Sequence, residues 1–484
     1  MLEKKVYIRL PIAVLVVLFT AFSAGLASAP QGEELTLKQA IEAALERDPQ
    51  VLSALNDVKK ARLAVKQEVL KIFPQATVTG SFQDNLNSPN INNQFGAVNN
   101  YPNNFRLIIT ETVPTNYNLY GRKIDTNIEA AVWDQVSYEA QLKIAQANVI
   151  YNTTVLYLNA LKAQQMVALQ ETFVKNAQAT SDLAKIQLQQ GKITKPDQLK
   201  AQNDLIAADY NLRKSRSDLR IALLQLGNQI GMELAETVKL EGNPDLKPLG
   251  EVDKEKLTDE AYQKRLEMQQ ARIATKKAER AYAQASNQAL PTVSFGYNNS
   301  SRTHNYSVSY DFLTGNLTWS AAGQVKPVVE NDNQDNNNLF INTKDQFVLK
   351  FVWNFDFGVA KNAAEQAELA LENAKIGEAQ QKQNIKLDLE QAVENYELAL
   401  EKARADADAL PYFQKSLEIL QLQNKLKLAT DLDVAVAEQN LMQAKIQAES
   451  SQYDLMAAAE KVKLAAGELY PFAPDQTEDG RDAQ

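Results

Sequence analysis

Cysteine is absent and there is a single histidine, His304, among 484 residues. Disulfides, thiolate nucleophiles, thioether-linked lipids and histidine-rich metal sites are thereby excluded. Past residue 30 there is no apolar run long enough to cross a bilayer as a helix. Any membrane crossing must then be made by strands. No basic cluster interleaved with aromatics occurs, and the net charge is −9, so nucleic acid is not an expected partner. Phosphate-cradling glycine loops, nucleophile elbows and metal-ligand spacings are missing as well. The Asp and Glu pairs at helical spacing suit salt bridges on helix surfaces. No catalytic residue, metal ligand or cofactor is expected.

Glycine and proline are missing where their absence matters most. Between Gly121 and about Gln190 neither interrupts the chain, and apolar or small residues recur at helical spacing. At 1.5 Å per residue this is a rod of about 100 Å, several times the width of an ordinary domain. It ends at Gln190-Gly191-Lys192-Ile193-Thr194-Lys195-Pro196-Asp197, where glycine suits a left-handed cap and Thr194 with Asp197 forms a capping box. The chain turns back there. In the returning helix Leu205, Leu212, Leu219 and Leu226 recur at every seventh position, the seam of a left-handed supercoil.

What precedes the rod reads as a secretory leader over residues 1–29. Lys4, Lys5 and Arg9 are its basic start, Ile12 to Phe22 its short apolar run, and Ala27-Ser28-Ala29 its small-residue cleavage region. A first helix is expected from about Thr36 to Ile72, then a β-hairpin within 75–114, then the long helical hairpin 121–230. Gly242, Pro244, Pro248 and Gly250 mark a midpoint connector.

The same order then repeats. Lys276-Lys277-Ala278 answers Lys59-Lys60-Ala61 at 276 − 59 = 217, and Leu290-Pro291 answers Phe73-Pro74 at the same offset. Asp433 answers Asp197 at 433 − 197 = 236, as the seam Leu441, Ala448, Leu455, Val462 answers the first seam. The insertion that makes up the difference between the offsets, 236 − 217 = 19, is expected in a longer second hairpin loop around Asn331 to Asn338. Two repeats are thus expected, over 30–250 and 251–469. The second holds a β-hairpin within 291–357 and a helical hairpin at 358–466, and a disordered acidic tail follows at 470–484.

The strands carry the membrane signal. Phe347, Leu349, Phe351, Trp353, Phe355 and Phe357 alternate with mostly polar residues, the lipid-out, lumen-in pattern of an outer-membrane barrel. Val293, Phe295 and Tyr297 repeat it, as do Tyr306, Val308, Tyr310 and Phe312. One hairpin per repeat makes four strands per chain, fewer than a single-chain barrel needs. An open sheet would leave edge groups unsatisfied in lipid. Several copies must therefore close one barrel; the count does not choose between two copies and three.

At this point the chain resembles the TolC family of outer-membrane efflux proteins. The likeness rests on Leu35-Thr36-Leu37-Lys38-Gln39-Ala40, Asp48-Pro49, Phe73-Pro74, Leu290-Pro291, the Gly191 to Asp197 turn, Leu426 to Val434, and Leu226 to Gly231. The resemblance implies a fold that is mainly α with membrane β: long antiparallel coiled-coil hairpins forming an α-barrel, and four strands per chain in a shared 12-stranded trimeric β-barrel. It implies a homotrimer in the outer membrane of a Gram-negative bacterium, extending into the periplasm. It further implies partners in a periplasmic adaptor and an inner-membrane transporter. The rods are expected to narrow to a gate at the tips, with Gly191, Lys192, Thr194, Asp197, Lys427, Thr430, Asp431 and Asp433 as its residues. Lys427 stands where the family usually has glycine, and Val436 where it usually has an acid.

Asp197, Asp433 and Asp431 fit a charged ring at a constriction and equally fit helix caps. Lys192, Lys425 and Lys427 suit adaptor contacts or a solvated surface. Trp133 suits packing between helices, and His304 is expected in or near the second hairpin loop. The function expected is a passive efflux duct. The alternatives are the outer-membrane component of a type I protein secretion system and, of a different class, an elongated periplasmic scaffold.

Overall fold

The structure, a computed structural model, describes residues 34–71, 73–84, 103–114, 127–242, 249–250, 253–287, 292–300, 304–312, 316–325, 344–352 and 358–469. The leader, Leu290-Pro291, Pro244, Pro248, the run 331–338, Trp353, Phe355, Phe357 and the acidic tail lie outside these residues, as does the expected rod start at Gly121.

Where one helix is expected from Thr36 to Ile72, the chain makes two, α1 (Leu37–Arg47) and α2 (Pro49–Leu70). Proline forces the residue before it out of the helical region. Asp48 is accordingly extended (φ −62°, ψ 125°), and its carboxylate accepts from the Gln50 amide at 2.8 Å and the Val51 amide at 3.3 Å. Strands β1 (Gln75–Asp84) and β2 (Asn103–Pro114) follow, then the rod α3 (Ile128–Gln189) and its return α4 (Lys195–Ile230).

The second half repeats these bounds. Helices α5 (Lys254–Lys264) and α6 (Leu266–Asn287) start at the smaller offset from α1 and α2, 254 − 37 = 266 − 49 = 217. The rod α7 (Val359–Lys425) and return α8 (Asp431–Ala466) close the chain, α8 starting at the larger offset from α4, 431 − 195 = 236. The two rods have 62 and 67 residues, each on the order of 100 Å long. The returns have 36 residues each and accompany only the tip-side half. Nearer the sheet, α2 packs on α3 and α6 on α7, so each rod has a helical companion along its length.

Each half has its own core. Tyr157, Leu158, Leu161, Leu223, Leu226 and Ile230 centre the first; Ile385, Leu389, Val393, Tyr396, Val462 and Ala465 centre the second. The expected seams run into them: Leu219 and Leu226 pack in the first core and Leu455 and Val462 in the second, while Leu212 and Ala448 are buried, and Leu205 and Leu441 partly so, outside both. Tyr157 donates from its hydroxyl to the carbonyls of Leu35 (2.8 Å) and Glu241 (3.2 Å), pinning the chain start and the midpoint connector to α3. Burial pushes its pKa up to about 12. Tyr396 repeats the device on α7 by donating to the Leu249 carbonyl.

The sheet departs from the expected count. Six strands are described rather than four, adding β3 (Thr292–Ser300), β4 (His304–Asp311), β5 (Asn316–Val325) and β6 (Lys344–Val352). All are antiparallel, in the order β1-β2-β5-β4-β3-β6. The start of β3 stands at the smaller offset from that of β1, 292 − 75 = 217, and β3 pairs with β6 as β1 pairs with β2. The β4–β5 hairpin is thus the addition. It runs from His304 to Val325, close in length to the insertion that the offsets assign to this half. The expected longer loop is, in its first part, this hairpin. β5 escapes notice because its alternation, Leu317, Trp319, Ala321, Gly323, shrinks to small residues.

Candidate functional site

Two regions bear on function, the helical tips and the sheet. At the first tip α3 closes on Gly191 in the left-handed conformation (φ 69°). The Lys192 amide donates to the Gln187 carbonyl at 2.9 Å and the Gly191 amide to Leu188 at 3.0 Å, a Schellman closure. Helix α4 opens at Thr194, whose amide and hydroxyl both donate to the Asp197 carboxylate, at 3.0 and 2.6 Å.

The second tip copies this geometry with one change. Lys427 takes the glycine's place at φ 60°, the one non-glycine residue with positive φ among those described. The Leu428 amide reaches the Gln423 carbonyl at 2.8 Å and the Lys427 amide reaches Asn424 at 2.9 Å. Thr430 donates to Asp433 from its amide (2.8 Å) and hydroxyl (2.7 Å), and its hydroxyl accepts from the Asp433 amide at 3.1 Å. These bonds to threonine hold both Asp197 and Asp433 below the usual carboxylate pKa.

Asp431 does something the sequence does not announce. Its carboxylate accepts from Asn424 on α7 at 2.9 Å and from the Gln187 side chain on α3. One acid therefore fastens the first tip to the second. Thr180, Leu183, Ala184, Ile193 and Ala435 line a small cleft beside it. Lys192, Lys425 and Lys427 are exposed at the tips. Trp133 is half-buried on α3, as packing between helices requires. His304 begins β4, its ring 5.3 Å from that of Tyr306.

The sheet has two chemically distinct faces. One carries Phe347, Leu349 and Phe351 on β6, Val293, Phe295 and Tyr297 on β3, and Tyr306, Val308 and Tyr310 on β4. It continues through Leu317 and Trp319 on β5, Leu107, Ile109 and Val113 on β2, and Val78 and Phe82 on β1. Phe347, Leu349 and Phe351 are 74, 72 and 60% exposed, which in water would be a large unfavourable patch. The other face carries Thr77, Thr79, Ser81, Arg106, Thr110, Thr112, Thr318, Ser320, Ser307, Ser309, Ser294, Asn298, Gln346 and Lys350. Apolar on one side and hydroxyl-rich on the other is the pattern expected of a barrel wall between lipid and an aqueous lumen. Among the described residues no helix is long and apolar enough to cross a membrane, and no group of acids or histidine could hold a metal ion.

The profile of the outer membrane efflux protein family matches residues 40–232. Over its first repeat the chain is thus similar to outer membrane efflux proteins. Three solved outer membrane proteins share the fold over nearly the whole chain. VceC of Vibrio cholerae has a TM-score of 0.66 at 16% identity, covering 89% of this chain and 96% of its own. The outer membrane channel CmeC of Campylobacter jejuni has 0.65 at 14% identity, covering 91% and 87%. The open-state MtrE outer membrane channel of Neisseria gonorrhoeae has 0.62 at 17% identity, covering 90% and 89%. No curated protein matches the sequence. The resemblance read from the sequence is borne out, and the outer-membrane location expected from the strands is that of the matched family.

Proposed function

We propose that this outer membrane efflux protein is the exit duct of a tripartite efflux system. Three copies join their sheets into one membrane barrel and their rods into one periplasmic tube, which conducts substrates passively outward. An inner-membrane transporter and a periplasmic adaptor deliver the cargo at the tips, where the Gly191 to Asp197 and Lys427 to Asp433 turns form the gate. The observation that carries this reading is a two-faced sheet in the same chain as rods on the order of 100 Å. A periplasmic scaffold has no use for an apolar face of this size, and a self-contained porin has no use for the rods. The open sheet, with β1 and β6 as unpaired edges among the described strands, supports closure by further copies.

Deleting the gene and measuring both drug sensitivity and the secreted protein profile tests the reading. Hypersensitivity to small toxic molecules with unchanged secretion is expected. Loss of a secreted polypeptide with unchanged drug sensitivity would replace efflux by protein secretion. Recovery of the mature chain in the soluble periplasm would remove the duct altogether.

A further inference from the structure

The strand count has a consequence for the width of the pore. The β4–β5 hairpin lies inside the sheet, not at its margin: β5 pairs with β2 along ten positions and β4 with β3 along seven. It continues both faces without a break. A single cross-sheet row runs Phe347, Tyr297, Val308, Trp319, Glu111, Ala76 through all six strands. On the opposite face Ser307 and Ser320 hydroxyls meet at 2.7 Å, and those of Thr112 and Thr318 at 3.4 Å. A hairpin hanging in solvent would not need outward Tyr306, Val308, Tyr310, Leu317 and Trp319 in register with the apolar residues of its neighbours.

The edges also match. Alternating direction through six strands leaves β1 and β6 running opposite ways, so β1 of one copy can pair antiparallel with β6 of the next. They have ten and nine residues, each about 30 Å long. Inserting two strands preserves this parity; inserting one would not.

We propose that the copies close an eighteen-stranded barrel, six strands each, instead of the twelve-stranded one that the family resemblance implies. The partner at each edge is a second copy of this chain. This rests on the trimeric reading above. With strands about 4.8 Å apart and tilted about 40°, twelve strands enclose a backbone cylinder about 24 Å across and eighteen one about 36 Å across. The cross-section rises a little over twofold. The outer-membrane portion then offers little resistance to bulky cargo, leaving the helical tips as the restriction.

Because the chain has no cysteine, introduced pairs report cleanly in outer membranes of cells making the full protein. Thr112→Cys with Thr318→Cys is expected to form an intrachain disulfide, read by peptide mass spectrometry. Thr112→Cys with Ser294→Cys or Asn298→Cys is expected to form none, since β2 and β3 are three strand spacings apart, about 14 Å, beyond disulfide reach. Thr77→Cys or Thr79→Cys with Gln346→Cys or Lys350→Cys is expected to link copies into dimers and trimers on a denaturing gel. Electron cryomicroscopy of the detergent-purified protein is expected to show a barrel near the wider of the two diameters. A β2–β3 disulfide in place of the β2–β5 one, or a barrel at the narrower diameter, overturns the proposal. Native mass keeps the two readings apart. A trimer with a narrow barrel sinks only the eighteen strands. A stoichiometry other than three sinks the trimer, and with it the eighteen strands.

Discussion

Trp319 donates its indole Nε1–H to the Glu111 carboxylate at 2.6 Å, and the two are direct cross-strand partners on β5 and β2. Both lie on the apolar face, three residues before Pro114 ends β2 and three after Asn316 begins β5. The bond joins the added hairpin to the first one at the helix-side end of the sheet, where an interfacial tryptophan belongs. It also gives the one acid in this apolar stretch of β2 a donor, without which a carboxylate in an apolar setting is costly.

The pair predicts an order of damage. Glu111→Gln keeps an acceptor for the indole and is expected to be nearly neutral. Trp319→Phe leaves the carboxylate without its donor and is expected to cost on the order of 1–3 kcal/mol. Equilibrium unfolding in detergent checks this, and Trp319→Phe placed on a Glu111→Ala background, which leaves no acceptor stranded, is expected to lose most of its effect. Equal costs with and without the acid would show that the bond contributes nothing.

At the second tip the expected change is a gain. A side chain at φ 60° carries a strain of roughly 1 kcal/mol that glycine does not. Lys427→Gly is therefore expected to stabilise the protein by about 1 kcal/mol or less, the glycine's extra unfolded-state entropy taking back part of the relief. Gly191→Ala, at φ 69°, is expected to destabilise by about 1 kcal/mol. Thermal unfolding of the two variants should move in opposite directions.

Much of this was legible from residue patterns. The rods follow from the missing glycine and proline, the seams from leucine at every seventh position, and the tips from Gly191 and the Thr194–Asp197 and Thr430–Asp433 boxes. The α1–α2 break is also readable in retrospect, since Asp48-Pro49 is a capped helix start. Three features were not legible. β5 hides because Ser320, Ala321, Ala322 and Gly323 carry little hydrophobic contrast, so its alternation fades where the strand is still paired. Lys427 shows its left-handed backbone only by standing where glycine would. Asp431 looks like any acid in a first helical turn; its bond to Gln187 spans 244 residues, and no local pattern encodes a contact at that distance.

Acid is expected to loosen both tips. Asp197 and Asp433 have folded pKa values below the ordinary carboxylate value of 3.8, so their ionised forms favour the folded state. That contribution is complete above the unfolded value, declines as pH drops below about 4, and is gone once pH passes the folded value. Hydrogen exchange at the Thr194 and Thr430 amides is expected to accelerate in that window, beyond the intrinsic pH dependence. Asp433→Ala is expected to remove the effect at the second tip alone, and Asp197→Ala at the first. Asp433→Ala is also expected to change cation selectivity in planar bilayers if the carboxylate faces the lumen as well as capping α8; unchanged selectivity leaves it the cap alone.

The sharpest prediction concerns Asp431, because its carboxylate bonds to both tips. Gln187 and Asn424 converge on one carboxylate from α3 and α7, so Asp431→Ala removes two bonds while leaving both capping boxes and both Schellman turns in place. A tip held shut partly by this clamp is expected to open more often, raising conductance in planar bilayers severalfold with little change in thermal stability, since the bonds are exposed and worth about 1 kcal/mol each at most. Gln187→Ala should reproduce part of the rise by cutting only the link between tips, whereas Asn424→Ala, which cuts a contact within the second tip, should raise conductance less. If the Gln187 and Asn424 variants behave alike, the bond across the tips has no special part in closure. If all three conduct like the unaltered protein, closure rests on contacts between copies and Asp431 is only a local brace.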